Sequence, residues 1–406
     1  MRNEHWLPRG ALVGLLIGAA VSAYWLGPHR PARLDEPTGA EFIVSSADDS
    51  GPGTLREALF GAARSTKQPL IRLRIPRVVL SSPLPPAVHP VGLVIESSTR
   101  TVVDAKLVAG PAIEVHAPHV VLRNLTIEHA AGTALLVHTS DVVLRGIHVG
   151  DSDIAIAIVG DAPHLEIHQC ELVKNRVGLQ IAAPATGVVE GCRFEQHGES
   201  AVWAVRAAGG SWTAPLQFIR NSFIADHDAM VFANLSLTVE HNEFVGSSHN
   251  AVTVLGGQLT FRANKVRGAR GAAVFLDNAE HVVIADNEIG DNPGTGIFVR
   301  AAAGVVVEHN RIYRNNYGIV AVYGKQGAPL TLEHNLIFSQ HLDGVLVIGA
   351  SPVIRANRTV NNSGAGIKLL DAVPHTGARI RSTPLLEGNV VAGNATAGIA
   401  RGDYAL

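Results

Sequence analysis

The sequence predicts an all-β solenoid of about twelve stacked coils, and three observations carry that expectation. Segments such as VVLRNLTI (120–127), VVLRGIHV (142–149), LTVEHNEF (237–244), VVIADNEI (282–289) and VVVEHNRI (305–312) recur about every 22 residues, which marks a repeat architecture. Within them apolar residues alternate with period 2 and β-branched residues abound, so the repeats are strands and not helices. One register position also holds an amide in eight repeats: Asn221, Asn242, Asn264, Asn287, Asn310, Asn335, Asn357 and Asn389. Equivalent residues of successive coils stack about 4.8 Å apart, so this column is expected to form a ladder of side-chain hydrogen bonds in the wall. Upstream the same position holds Leu125, Ile147, Cys170 and Cys192.

Taken from the N-terminus, Arg2 and Arg9 lead into an apolar run over 10–27. Residues 1–27 read as a secretory signal, with small residues Val21-Ser22-Ala23 for cleavage, or as an uncleaved membrane anchor flanked by Trp6, Tyr24 and Trp25. Either reading places the remainder outside the cytoplasm, in the periplasm, the cell envelope or the medium. Residues 28–40 form a proline-rich linker, and 41–406 form the repeat domain. Its first part, FIVSSADDSGPGTLREAL (42–59), holds a strand, a glycine turn, and Thr54 as N-cap of a short helix. After the linker each repeat supplies a second apolar strand, as in NAVTVLG (250–256), TGIFVRA (295–301) and YGIVAVY (317–323).

Composition sets bounds. Charged residues are 17% and hydrophobic ones 47%, which excludes a disordered chain. The 33 basic and 35 acidic residues nearly cancel, which argues against a nucleic-acid binder. Two cysteines make neither a disulfide scaffold nor a four-cysteine zinc site. Cys170 and Cys192 share one ladder position in adjacent coils, within reach of a disulfide, although parallel stacked side chains favour two buried thiols.

These repeats resemble the generic bacterial β-helix repeat, and 42–59 resembles the SLREA-type opening of exported β-helix proteins. The resemblance is to right-handed parallel β-helices of the pectate-lyase-like superfamily. It implies a single parallel β-helix over 41–406, with the helix at Leu55 to Leu59 plugging one end. Lyases, epimerases, hydrolases and inert adhesins share this fold, so activity must be sought in sites. Mannuronan epimerases of this fold carry Tyr-Gly followed by Asp-Pro-His-Asp, whereas Tyr317-Gly318 continues here as Ile319-Val320-Ala321-Val322.

Two clusters are candidates. Loops inserted after the second strand, at 206–215, 323–329 and 371–384, would gather Tyr323, Lys325, Lys368, His375, Arg379 and Arg381. That set suits the carboxylates of an acidic sugar. The turn Asp226-His227-Asp228 would meet His197, Glu195 and Glu199 on one side and His249 and Arg270 on the other. Its imidazoles and carboxylates suit acid–base work or a cation such as Ca2+. Asp226, His227, Asp228 and His375 are the candidate catalytic groups; Tyr323, Lys325, Lys368, Arg379, Arg381, His197, His249 and Arg270 are the candidate substrate-binding groups. The expected substrate is an acidic polysaccharide, bound and modified by a lyase- or epimerase-like proton abstraction beside the carboxylate. The alternative is a non-catalytic envelope protein, holding a protein or glycan partner on an outward apolar stripe read as Trp203, Val231, Thr253, Val274, Phe298, Val320, Leu346 and Lys368. Two outward charged columns, Glu243-Lys265-Glu288-Arg311 and Glu240-Arg262-Ala285-Glu308-Glu333-Arg355, read as surface salt-bridge ladders.

Overall fold

The computed structural model describes residues 39–139, 141–160, 164–182, 185–205, 215–324, 327–373 and 378–405. The expected signal or anchor segment lies outside them, as do Lys325 and His375. No helix among the described residues is long and apolar enough to cross a membrane.

The chain winds through three parallel sheets of 15, 14 and 13 strands. One coil shows the pattern: Ser236–Glu240 lies in the first sheet, Glu243–Val245 in the second and Val252–Leu255 in the third. Each strand pairs in parallel with its counterpart one coil away, as Leu237 does with Leu259, Phe244 with Val266 and Val252 with Val274. Apolar residues at alternate positions point into a continuous core, where Phe194, Phe223 and Phe244 stack at 4.8 and 4.7 Å between ring centres.

What the sequence presents as one strand through the Asn column is two strands meeting at a corner. The residue before each Asn adopts a left-handed backbone: Arg220, His241, Ala263, Asp286, His309, His334 and Ala356 all have φ between 53° and 57°. L-residues enter that region at a cost, and the ladder offsets it. Asn242 donates its backbone N–H to Asn264 Oδ1 at 2.9 Å and its side-chain amide to the Phe218 carbonyl at 2.8 Å. Asn264, Asn287, Asn310, Asn335 and Asn357 repeat the arrangement down to Asn389. Above the ladder the Cys192 N–H donates to Asn221 Oδ1, and the Cys170 N–H reaches Cys192 Sγ at 3.4 Å. Both cysteines are free, buried thiols; the Cys192 contact and burial push the Cys170 thiol well up.

The helix Leu55–Ala63 closes one end of the stack. Thr54 caps it, accepting the Glu57 N–H, while Glu57 reaches back to the Gly53 N–H at 2.5 Å. Leu55 and Leu59 meet Leu73, Ile95, Val103 and Leu125 around a small apolar cavity.

The outward charged columns have the expected register but not the expected ion pairs. Glu243 pairs with Arg267 at 2.9 Å, Glu288 accepts the Tyr313 hydroxyl, and Arg311 lies over the Tyr313 and Phe338 rings. In the other column Arg355 does pair with Glu333, at 2.5 Å.

Candidate functional site

A second ladder runs along the corner between the second and third sheets. Asn292 donates its backbone N–H to Asn315 Oδ1 at 3.2 Å, Asn315 to Gln340 Oε1, Gln340 to Asn362 Oδ1 and Asn362 to Asn394 Oδ1. Higher up, the Ser152 N–H donates to Asn175 Oδ1. Two expected site residues sit in this ladder. The His197 N–H donates to Asp226 Oδ1 at 3.0 Å, and His197 Nδ1 lies 2.7 Å from the same oxygen. Both side chains are 0% exposed. Asp226 and His197 therefore face no substrate; they join two coils inside the wall. Burial pushes the Asp226 carboxyl up, with the His197 contact opposing it. His197 Nε2 and Asp226 Oδ2 have no hydrogen-bond partner among the described residues.

The rest of that cluster lies on the outer side of the same corner. His227 is exposed, His249 is 54% exposed, and Asp228 between them is 14% exposed. Asp228 Oδ1 accepts the Asn250 N–H at 3.1 Å and lies 2.9 Å from His249 Nδ1. A carboxylate only accepts, so His249 donates to it from Nδ1 and turns its Nε2 away from it. His227 turns its Nδ1 to Ser248 Oγ at 2.9 Å, and its ring stacks on His249 at 5.5 Å. Thr253 Oγ1 accepts the Asn250 side-chain amide, which fixes the floor beside the pair.

His249, Thr253, Arg270, Thr295, Phe275 and Phe298 line an open groove of about 470 Å³ on the third sheet. The two phenylalanine rings stack at 5.3 Å. Gly294 lets the coils close beneath them, because a Cβ there would meet the Gly271 carbonyl oxygen at 1.5 Å. Phe275 is the residue that sequence reasoning missed. The strand Ala272–Asp277 pairs Thr253 with Phe275 and Phe275 with Phe298, so Phe275 belongs to the outward stripe. Val274 points inward and is fully buried, since a one-residue slip exchanges the two faces of a strand.

Further along, the stripe is closed. Val320 and Leu346 are 4% and 8% exposed and form a separate cluster with Ile348 and Ala372, onto which Phe298, Tyr317, Tyr323 and Leu370 pack. The chain folds back over this cluster through an antiparallel bridge between Ala372 and Ile380. The loop cluster is correspondingly divided. Tyr323 and Arg381 line one cavity of about 320 Å³ with Leu330 and Ile380. Lys368 pairs instead with Asp343 at 3.6 Å, and Arg379 with Asp371 at 3.0 Å and with Asp403. The three described cations of this cluster thus point to different places, and among the described residues no single anion pocket gathers them.

His227, Asp228 and His249 also bring three donor atoms within 4.8 Å of one another. Two nitrogens and one carboxylate suit a transition cation, whereas calcium takes six to eight oxygens. The cluster therefore does not match the calcium expectation.

A family model described as "right handed beta helix region" matches residues 204–357 and 251–403. The chain is a right-handed parallel β-helix protein. Among solved structures the β-helix is similar to the periplasmic alginate epimerase AlgG, at 11% identity and a TM-score of 0.51, over 100% of this chain and 99% of that one. It is also similar to the A-module of the mannuronan C-5 epimerase AlgE6 from Azotobacter vinelandii, at 12% identity and a TM-score of 0.44, over 89% and 99%. A third is the catalytic unit of an alpha-1,3-glucanase from Streptomyces thermodiastaticus, at 14% identity and a TM-score of 0.44, over 89% and 70%. No curated protein matches the chain. At these identities the likeness establishes the fold.

Proposed function

We propose that this β-helix acts outside the cytoplasm and binds an acidic polysaccharide in the groove of the third sheet, with His249 as the base that takes a proton from the carbon beside a uronate carboxylate. One observation supports this above the others. An imidazole oriented by Asp228, with its Nε2 turned away from that carboxylate, lines the same open groove as a guanidinium and a stacked aromatic pair. Arg270 would grip the carboxylate and stabilise the charge that moves onto it as the proton leaves. Phe275 and Phe298 would hold the apolar face of a neighbouring sugar ring. Loss of the oxygen on the adjacent carbon makes the reaction a lyase; return of the proton to the opposite face makes it an epimerase. AlgG, which shares the fold, is a periplasmic alginate epimerase.

The test uses purified protein and a panel of polyuronates. Calorimetry reads binding, ultraviolet absorbance reads the unsaturated lyase product, and NMR reads epimerisation. Arg270→Ala is expected to weaken binding about 10- to 100-fold, as for the loss of one charged hydrogen bond. His249→Ala is expected to keep binding and lose turnover. Binding unchanged in both Arg270→Ala and Phe298→Ala would refute the groove. Binding without any product would leave the protein a non-catalytic glycan-binding component.

A further inference from the structure

The third sheet ends at the strand Ile113–Val115, beyond which the described residues continue it only through an isolated bridge between Ala87 and Val115. The neighbouring strand Thr133–Val137 pairs with it, Val115 opposite Val137. His116 and His138 follow these two strands and so hold equivalent places in successive coils. Their rings lie 4.3 Å apart and 8° from parallel. Both direct Nε2 at the same oxygen, Glu114 Oε1, at 2.9 and 3.0 Å. Nothing in the proposed glycan groove uses these residues, and the repeat pattern did not single them out.

Two imidazole nitrogens and a carboxylate oxygen converging on one point form the donor set of a borderline divalent cation. At zinc bond lengths of about 2.0–2.2 Å, tetrahedral donors stand about 3.3 Å apart. The two N···O separations therefore need to open by only about 0.3–0.4 Å. The rings must also turn out of parallel to aim both lone pairs at one ion. Side chains that are 41%, 33% and 30% exposed, for His116, His138 and Glu114, have room to do so. The other two-histidine cluster is less convergent, because His227 is turned to Ser248 and only His249 meets the carboxylate.

We propose that Glu114, His116 and His138 bind a divalent transition cation of the Zn2+ class. The ion would join the edge strand of the third sheet to its neighbour, with the remaining coordination position open to water. Metal at this place would restrain fraying at this end of the sheet.

The experiment uses the full-length untagged chain. Isothermal titration with Zn2+, thermal unfolding with and without Zn2+, and visible absorption with Co2+ are measured on wild type, His116→Ala, His138→Ala, Glu114→Gln and His249→Ala. Wild type is expected to bind one Zn2+ at this site, to gain in Tm, and to give the intense Co2+ bands of a four-coordinate site. His116→Ala and His138→Ala are each expected to weaken binding more than about tenfold and to abolish the gain in Tm. Glu114→Gln, which keeps the shape of the side chain, separates loss of a ligand from loss of folding, and His249→Ala should leave the site intact. The proposal fails if saturable Zn2+ binding is absent, if it is unchanged in both His116→Ala and His138→Ala, or if it disappears in His249→Ala instead.

Discussion

Replacing Asp226 by alanine separates a wall residue from a functional one. In the native protein Asp226 Oδ1 serves two groups of His197, the backbone N–H at 3.0 Å and Nδ1 at 2.7 Å, and neither side chain has any exposure. Alanine leaves both groups buried without a partner. At about 1–3 kcal/mol for each orphaned group, the cost is about 2–6 kcal/mol, which brackets the roughly 3–5 kcal/mol seen when one member of a buried pair is removed. Asp226→Asn keeps an oxygen in the same place and should cost about 1 kcal/mol or less. The double variant His197→Asn, Asp226→Asn extends the sequence of amides already present at Asn292, Asn315 and Asn362, and removes the unpartnered His197 Nε2 and Asp226 Oδ2. It should be at least as stable as wild type. A pH series adds a sign. Burial raises the folded-state value of the Asp226 carboxyl above its unfolded value, so its contribution is fully present below the ordinary carboxylate range. That contribution is lost as pH rises through the raised value. Wild type should therefore lose stability relative to Asp226→Asn over that rise, and then run parallel to it. Urea unfolding of the four proteins across pH reads all of this. The reasoning is refuted if Asp226→Ala is as stable as wild type, or if Asp226→Asn abolishes glycan turnover at unchanged stability.

Asn287→Ala removes a mid-ladder amide that accepts the Asn264 N–H at 2.9 Å and donates to the Phe261 carbonyl at 2.8 Å. Stability should fall by about 2–6 kcal/mol in urea unfolding, with the loss arising from those two orphaned groups. Cys170 and Cys192 should resist a thiol reagent in the native protein and react only on unfolding, since both are buried and the Cys170 thiol is pushed up by its contact with Cys192. A reducing agent should leave Tm unchanged.

The coil was legible because its strongest signal is periodic. A column of Asn at a fixed place in eight successive repeats gives the register, and the structure ties that column together bond by bond. The corner beside it was not legible. Left-handed residues usually announce themselves as Gly or Asn, yet this bend holds Arg220, Ala263 and Asp286, whose strain is offset by tertiary hydrogen bonds that no local pattern shows. The second ladder was hidden for a related reason. Its positions hold Ser152, Asn175, His197, Asp226, Ala269, Asn292, Asn315, Gln340, Asn362 and Asn394, so Asn recurs in only part of the column and the other members share with it only a role toward the next coil. His197 and Asp226 therefore looked like chemistry in a polar turn and proved to be masonry.

The same geometry explains why the groove was half visible. A solenoid builds its outer surface from residues one repeat apart, so Asp228, His249, Arg270 and Thr295 come from four successive coils. Three coil spacings amount to about 14 Å, a length suited to a short run of sugar rings and too long for a single ring. Polar members of such a group can be found from sequence, because His and Asp are conspicuous in turns. The platform cannot be found with the same ease, since Phe275 and Val274 are both apolar and only the pairing with Thr253 and Phe298 decides which faces out. One residue of register thus separates a continuous aromatic floor from a gap. The stripe's two halves then differ in exposure: where Ile380 folds back, it is a closed core of its own, and where Phe275 and Phe298 stack beside Arg270 it stays open. A partner on this face meets the open half first, with a cation and an imidazole at its margin, which suits a charged sugar chain better than an apolar protein surface.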